Sequence, residues 1–313
     1  MMTRLNSHLT WPDAVLAIAI VFVWGTNFVV IRVALDALPP LFLATMRFVL
    51  VLVPAVFFIE RPWSVGESQS DKKYVSWANL LVYGVCIGML QFGALFIAMS
   101  GRISPGLASL VVQMQVFFTI GLAMLRTAEK LKAHQLLAFA LALAGMGVIA
   151  AHSGQGTTLS GLSLVLVAAL GWALGNQAGR EAGKVNMLAY VVWAAIFAIP
   201  PLLGLSLWLE GPAAIATGIA RATPITWASV VWQSVGNTMF GYSCWGWLLS
   251  RYPAATVSPL SLLVPVFGFG ASALLLGEPL PAWKLEATTL IMAGLAVNLL
   301  WRPRKSEARS AVG

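Results

Sequence analysis

Apolar runs about 20 residues long restrict the fold of this chain more than any other feature of its sequence. A helix needs roughly that many apolar residues to cross the hydrocarbon core of a bilayer. Charged residues make up 10% of the chain, against roughly 25% in soluble domains, so lipid rather than water must face the outer surfaces. The runs are longer than barrel strands and do not alternate, which predicts an all-α integral membrane protein. Ten transmembrane helices are predicted, at residues 14–35, 40–59, 77–99, 105–125, 133–151, 159–178, 187–209, 225–249, 254–275 and 283–301.

The positions of Lys and Arg predict which side of the membrane each loop faces. If the N-terminus is cytoplasmic, the loops on the opposite side contain only Arg102, Arg221 and Lys284, while Arg32 and Arg47 lie within helices. All other Lys and Arg residues are then cytoplasmic, as the positive-inside rule requires. We therefore expect a multi-pass protein of the bacterial inner membrane with both termini in the cytoplasm.

The sequence partly repeats at an offset of 149 residues, which divides it into units 1–151 and 152–313. Each unit contains five predicted helices, so the second enters the membrane from the opposite side and the two form inverted repeats. Such repeats are typical of transporters, in which a site near the midplane is exposed alternately as the halves rock. The matching pairs include Ser109 with Ser258, Phe118 with Phe267, Gly121 with Gly270, Glu129 with Glu278 and Gly145 with Gly294.

Polar and aromatic side chains within the predicted helices are candidates for a binding cavity, because polar groups in a bilayer face a cavity or another helix. For any single residue, hydrogen bonding between helices is an equally good account. The whole set favours a cavity between the first, third, fourth, sixth, eighth and ninth helices. In the eighth helix the candidates recur every four residues and predict one continuous stripe. The candidate substrate-binding residues are Trp24, Asn27, Tyr83, Gln91, Gln113, Gln115, Trp172, Asn176, Gln233, Asn237, Tyr242, Trp245, Ser258 and Ser261.

The acidic residues narrow the class of substrate. All 11 Asp and Glu residues lie in predicted loops, tails or helix ends. An exporter of cationic drugs would be expected to carry a carboxylate at mid-membrane, so the sequence favours a substrate without net charge, such as a zwitterion. Replacing Glu129 or Glu278 is expected to disturb mainly loop and helix-end structure. The sequence has no Cys and His spacing of a zinc site, and we expect neither a metal nor a cofactor.

Arg47 is the clearest charge inside a predicted helix, seven residues or about 10 Å from its outer end. Its guanidinium could bind a substrate carboxylate. Extension of the side chain to the membrane surface, or pairing with Asp36, is the interpretation that the sequence favours.

Several motifs resemble those of the EamA-type transporters, within the drug/metabolite transporter superfamily. Trp24-Gly25-Thr26-Asn27-Phe28 is similar to the opening of that family's first helix. The remaining resemblances are Pro39-Pro40 with Arg47-Phe48 in the second helix, residues 106–118 in the fourth, Tyr242 with Trp245-Gly246 in the eighth, and residues 258–266 with Gly277-Glu278 in and after the ninth.

The resemblance covers roughly residues 14–301 and implies ten helices in two inverted halves of five. It also implies export of amino acids and related metabolites, with most similarity to cysteine/O-acetylserine and aromatic amino-acid exporters. Two features depart from the family pattern: the polar segment from Ser64 to Ser76, expected to be a cytoplasmic loop, and Glu129, which lacks the preceding Gly of Glu278.

Alternative functions fit the sequence less well. Among transporters, the alternative is a broad exporter of hydrophobic drugs. A membrane enzyme would need a catalytic motif, and a scaffold or receptor would need long segments outside the membrane; neither is found. Scattered Lys and Arg argue against nucleic-acid binding. We expect a small-molecule substrate, contact with membrane lipid, and a monomer or weak homodimer.

Overall fold

The computed structural model describes residues 9–65, 72–127, 132–154 and 156–300 and is built of helical segments, labelled α1 to α10 along the chain. Within these residues, eight segments are long and apolar enough to cross a membrane. They are Trp11–Ala34 (α1), Pro40–Phe57 (α2), Trp77–Met99 (α3), Pro105–Leu125 (α4), Ala133–Ala151 (α5), Leu159–Glu181 (α6), Met187–Arg221 (α7) and Ser258–Leu276 (α9). Residues 224–251 (α8) and Ala282–Leu300 (α10) are also helical. Glu129 and both termini lie outside the described residues.

Several helices depart from regular α-helical geometry along part of their length, including α7, in which Ser206–Glu210 is π-helical. In α3, Val85–Gly93 forms a π-helix, and in α8 Trp232–Phe240 does the same. Short 3₁₀ segments occupy Val112–Met114 in α4 and Ser258–Leu262 in α9. The last of these contains Pro259, whose ring prevents a regular α-helical hydrogen bond. π-helical turns are rare and occur mostly at functional sites. The residues around these turns are therefore candidates for a functional site.

Parts of two segments that the sequence predicts to be loops have regular secondary structure. Trp63–Val65 (β1) and Lys72–Tyr74 (β2) pair as antiparallel strands and overlap the segment from Ser64 to Ser76. Beyond the predicted end of the seventh helix, the chain continues as a helix from Gly211 to Arg221. Both cases show the same limit of sequence reasoning, because short polar or mixed segments lack the long apolar pattern that identifies the membrane helices.

Close glycine contacts hold several helices together, as small residues do in membrane bundles. A Cβ atom at Gly88 of α3 would lie 2.4 Å from the Cβ atom of Ala198 in α7. A Cβ atom at Gly145 of α5 would lie 2.6 Å from the side chain of Ile291 in α10. Further pairs of helices in contact are α1 with α9, α2 with α7, α3 with α6, α4 with α6 and α4 with α9.

Large apolar side chains cover much of the outer surface. Leu125 and Leu274 are each 85% exposed, and Phe22, Leu81 and Leu143 are also exposed. A soluble monomer rarely exposes so much contiguous apolar surface. The arrangement indicates a multi-pass membrane protein with an apolar outer surface, while the polar side chains described below are buried among the helices.

Candidate substrate-binding cavity

A cavity of about 50 Å³ lies at the centre of the helices. All six helices that the sequence predicts to surround a cavity contribute to its wall. Because one water needs about 10–15 Å³ of such space, it holds a few water molecules or a few heavy atoms of a ligand. Its lining residues are Trp24, Asn27, Phe28 and Ile31 of α1, Gln91, Phe92 and Leu95 of α3, Val112 of α4, Trp172 of α6, Asn237 and Tyr242 of α8, and Val264 of α9.

Three amide side chains face this cavity from α1, α3 and α8. The side chains of Asn27, Gln91 and Asn237 are buried. Asn27 Oδ1 and Gln91 Oε1 have no hydrogen-bond partner, although buried polar atoms nearly always have one. The cavity therefore contains two carbonyl oxygens that a bound donor would satisfy. Gln91 and Asn237 both belong to the π-helical turns of their helices.

Aromatic rings form the remaining wall. The Trp24 ring lies 5.7 Å from the Tyr242 ring and 5.2 Å from the Trp245 ring. The indole nitrogen of Trp24 donates to the backbone oxygen of Asn237 at 3.2 Å, which fixes α1 against α8. Trp172 faces the same space from α6. Indole and phenol rings offer a broad apolar contact for a ligand side chain and keep a polar edge for hydrogen bonding.

The other predicted residues lie around the cavity rather than on its wall. Tyr83 packs against Tyr190, with ring centres 4.5 Å apart, and lines a smaller space next to Tyr242. Asn176 donates to Gln115 at 3.2 Å and so joins α6 to α4.

The candidate residues at the contact between α4 and α9 also form hydrogen bonds. Gln113 approaches the backbone oxygen of Ser261 at 3.5 Å, and the Ser261 hydroxyl donates to the backbone oxygen of Ser258. The contact between Gln113 and Ser261 connects the two helices, which is the alternative account that the sequence left open, whereas the bond between Ser261 and Ser258 lies within α9.

The predicted stripe of α8 passes through the π-helix. Asn237 lines the cavity, whereas Gln233 is fully buried without lining it, and the Trp245 ring lies 5.2 Å from the Trp24 ring. The Thr238 hydroxyl donates to the backbone oxygen of Gln233, five residues earlier. Of these three candidates, the structure brings only Asn237 to the cavity wall.

The favoured interpretation of Arg47 was also wrong. Arg47 is fully buried, and it neither extends to the surface nor pairs with Asp36, which instead contacts Arg32 at 2.6 Å. Arg47 Nη2 donates to Asn237 Oδ1 at 2.7 Å and to the Thr238 hydroxyl at 2.8 Å. The sequence could not reveal this contact, because the partners are about 190 residues away in the chain.

Two partly buried glutamates, Glu278 and Glu210, accept hydrogen bonds at the starts of other helices. Glu278 accepts hydrogen bonds from the backbone nitrogen of Gly106 at 3.0 Å and from the hydroxyl of Ser104, at the start of α4. Glu210 accepts from the backbone nitrogens of Leu41 and Phe42, at the start of α2. These carboxylates accept hydrogen bonds from free N–H groups and interact favourably with the positive end of the helix dipole. None of the lining residues of the central cavity is acidic.

Sequence reasoning missed the apolar part of the wall and the Thr238 contact. Phe28, Phe92 and Leu95 line the cavity. In the sequence, an apolar side chain that faces a cavity cannot be distinguished from one that faces lipid. Thr238 adjoins the predicted Asn237, which is the only sequence signal for it.

Comparisons with known proteins identify the family to which the chain is similar. The family model described as the EamA-like transporter family matches residues 11–151 and again 159–300. A "Probable amino-acid metabolite efflux pump" of Salmonella typhimurium is 42% identical, over 92% of this chain and 94% of the relative. A protein of the same description from Escherichia coli is 40% identical, over 93% and 96% of the two chains.

More distant proteins share the same overall length. A "Probable terminal-alkyne amino-acid exporter" of Streptantibioticus cattleyicolor is 26% identical, over 92% of this chain and 94% of that protein. A solved crystal structure has a TM-score of 0.61 with 20% identity, covering 95% of this chain and 99% of the other, and indicates a common fold.

Proposed function

Because this chain belongs to the EamA-like transporter family, and is therefore a transporter rather than an enzyme, we propose that it exports neutral amino acids and related small metabolites across the inner membrane. The observation that carries the proposal is the central cavity, whose wall combines amides, indoles and a phenol without a carboxylate. The printed names of the relatives at 40% and 42% identity support the same class of substrate.

Transport by alternating access requires two halves that move against each other. The family model matches each half separately, which supports two repeats with a boundary near residues 151–152. The π-helices of α3 and α8 occupy corresponding positions in the two halves, and so do the 3₁₀ segments of α4 and α9. We propose ten transmembrane helices, in two inverted halves of five, with the cavity between them.

Side chains at the cavity support the assignment of the binding residues. We propose that Asn27, Gln91 and Asn237 bind the polar groups of the substrate, and that Trp24, Trp172 and Tyr242 contact its side chain. The narrow volume implies that helices move to admit a large side chain. One methylene group contributes only about 1–3 kcal/mol to the binding free energy in such a pocket, so discrimination among apolar amino acids is weak.

The alternative is an exporter of hydrophobic cationic drugs. A cationic drug would need a countercharge in the cavity, and no acidic residue lines it. Burying an uncompensated cation is costly. The amino-acid proposal therefore fits the charge of the cavity better.

Transport by purified protein in liposomes tests the proposal. Labelled neutral amino acids should be transported, whereas lysine, glutamate and a quaternary ammonium dye should be poor substrates. Trp172→Ala should abolish or strongly reduce transport, because Trp172 lines the cavity. Trp208→Ala is the matched control, since that ring is 79% exposed. Strong competition by the dye, with none by neutral amino acids, would establish the drug-exporter alternative.

A further inference from the structure

Arg47 is a buried cation whose contacts are neutral groups. It lies in α2 and has no exposed surface. The hydroxyl of Thr238 accepts from Nε at 3.1 Å and from Nη2 at 2.8 Å, and Asn237 Oδ1 accepts from Nη2 at 2.7 Å. The Phe92 ring centre lies 3.6 Å from the guanidinium carbon. These contacts fix the guanidinium in place but do not neutralise its charge.

The missing countercharge is the central observation. Among the described residues, no carboxylate is paired with Arg47; Asp36 pairs with Arg32 and Glu278 pairs with Lys284, both at helix ends. Arg47 Nη1 has no hydrogen-bond partner at all. A buried charge is normally paired, because an uncompensated one loses its hydration without replacement. The site is therefore suited to an anionic group that arrives from outside the chain.

The guanidinium lies directly behind the wall of the central cavity. Two of its contacts, Phe92 and Asn237, line that cavity, so a ligand there is separated from Arg47 by one layer of side chains. Asn27 Oδ1 and Gln91 Oε1, whose residues line the same cavity, lack partners and are acceptors. An unsatisfied donor, Arg47 Nη1, thus lies behind the cavity wall, and two unsatisfied acceptors lie within that wall.

We propose that Arg47 and Asn237 form the subsite for the substrate carboxylate, and that Asn27 and Gln91 accept hydrogen bonds from its ammonium group. The inference rests on the proposed function, because it assigns the two ends of an amino acid within the same cavity. It makes the carboxylate a requirement for recognition. It also predicts rejection of a second carboxylate or of a cationic side chain, because none of the residues that line the cavity is charged.

A ligand series on the wild-type protein gives the first test. Counterflow of labelled L-leucine in liposomes should be competed by L-leucine at least about tenfold more strongly than by L-leucinamide, because a charge-assisted hydrogen bond is lost in the amide. 3-Methylbutylamine, which lacks the carboxylate, should compete as poorly as the amide. Equal competition by the acid and its amide overturns the proposal and leaves amino-acid export intact.

Variants separate substrate binding from a structural role. Asn237→Asp places a carboxylate beside Arg47 and should retain the fold while lowering affinity for L-leucine at least about tenfold and removing the preference for acid over amide. Arg47→Met should remove the same preference, and Arg47→Lys should restore part of it. Arg32→Met is the matched control and should keep the preference. Wild-type affinity and preference in a folded Asn237→Asp protein overturns the proposal.

A separate measurement distinguishes failure of the proposed transport function from failure of the carboxylate subsite. If the wild-type protein transports none of the labelled amino acids, thermal unfolding in detergent with L-leucine and with L-leucinamide decides the inference by itself. Stabilisation by the acid alone, absent in Arg47→Met, supports the carboxylate subsite. Equal stabilisation by both compounds, or stabilisation by neither, overturns it.

Discussion

At the scale of single residues, the buried carboxylates that the structure describes at helix ends have structural partners. Glu278 contacts the Lys284 ammonium at 2.8 Å as well as the start of α4. Glu210 makes the corresponding contacts at the start of α2 and accepts a further hydrogen bond from Ser206. Each carboxylate thus joins two helices that are distant in the chain.

We predict that Glu278→Gln lowers stability without removing transport. The amide can still accept a hydrogen bond, but Lys284 would remain buried without its countercharge, and breaking a buried ion pair costs about 3–5 kcal/mol. Thermal unfolding in detergent measures the loss, and Lys284→Met in the same protein should recover part of it. Transport normalised to folded protein should persist. Lost proton coupling with normal folding and substrate binding would contradict this view of Glu278.

Whether a candidate residue lines the cavity or bonds to another helix depends on the hydrogen-bond partners that neighbouring helices provide. Sequence reasoning selected polar side chains inside helices, and Asn27, Gln91 and Trp172 do line the cavity. Gln115 and Asn176 are equally polar but bind each other. Nothing in the local sequence distinguishes the two outcomes, because the partner is supplied by another helix.

At the scale of whole helices, contact between α5 and α10 depends on reciprocal glycines. Gly145 of α5 faces Ile291 and the backbone of Ala287, and Gly294 of α10 faces the backbone of Ala138. The sequence repeat pairs these two glycines, and each makes a close backbone approach to the opposite helix. Small residues at a helix contact permit this distance.

We predict that Gly145→Leu destabilises the protein while Gly147→Leu does not. A Cβ at Gly145 would lie 2.6 Å from Ile291, and overpacking of this kind typically costs about 1–3 kcal/mol. At Gly147, two residues further along the same helix, a Cβ would meet open space. The thermal unfolding midpoints of the two variants in detergent provide the comparison. Equal midpoints would show that the α5–α10 contact contributes little to stability.

Helix position was predictable to the residue for α3 and α5, where an apolar run had sharp polar borders. The π and 3₁₀ turns were not predictable, because their residues satisfy a regular helical pattern equally well. They include Gln91 and Asn237, which line the cavity, and Gln233, which does not.

At the scale of the whole molecule, the pairing of helices is what an inverted repeat requires. Contacts of α2 with α7, α4 with α9 and α5 with α10 join corresponding helices of the two halves. The contact of α1 with α9 has its counterpart in the contact of α6 with α4. These pairings support the proposed pseudo-two-fold arrangement, in which the cavity lies where both halves meet.

We predict that both termini are cytoplasmic. Reporter fusions after Gly313 and within the segment from Ser64 to Ser76 should report the cytoplasm, because most Lys and Arg residues then lie inside. A fusion after Gly154, between α5 and α6, should report the opposite side and serves as the control. A periplasmic signal from either of the first two fusions would exclude the ten-helix topology.

The sequence by itself determined the solvent, the helical class and the approximate helix positions. Long apolar runs with few charges leave lipid as the surrounding medium, and in lipid a helix satisfies its own backbone hydrogen bonds. The tertiary structure alone decided which polar groups face the cavity and which join helices. It also decided that Arg47 is buried beside Asn237, because that environment is created by helices about 190 residues apart in the chain. Interactions between distant segments depend on how the helices pack, and no local pattern encodes that packing.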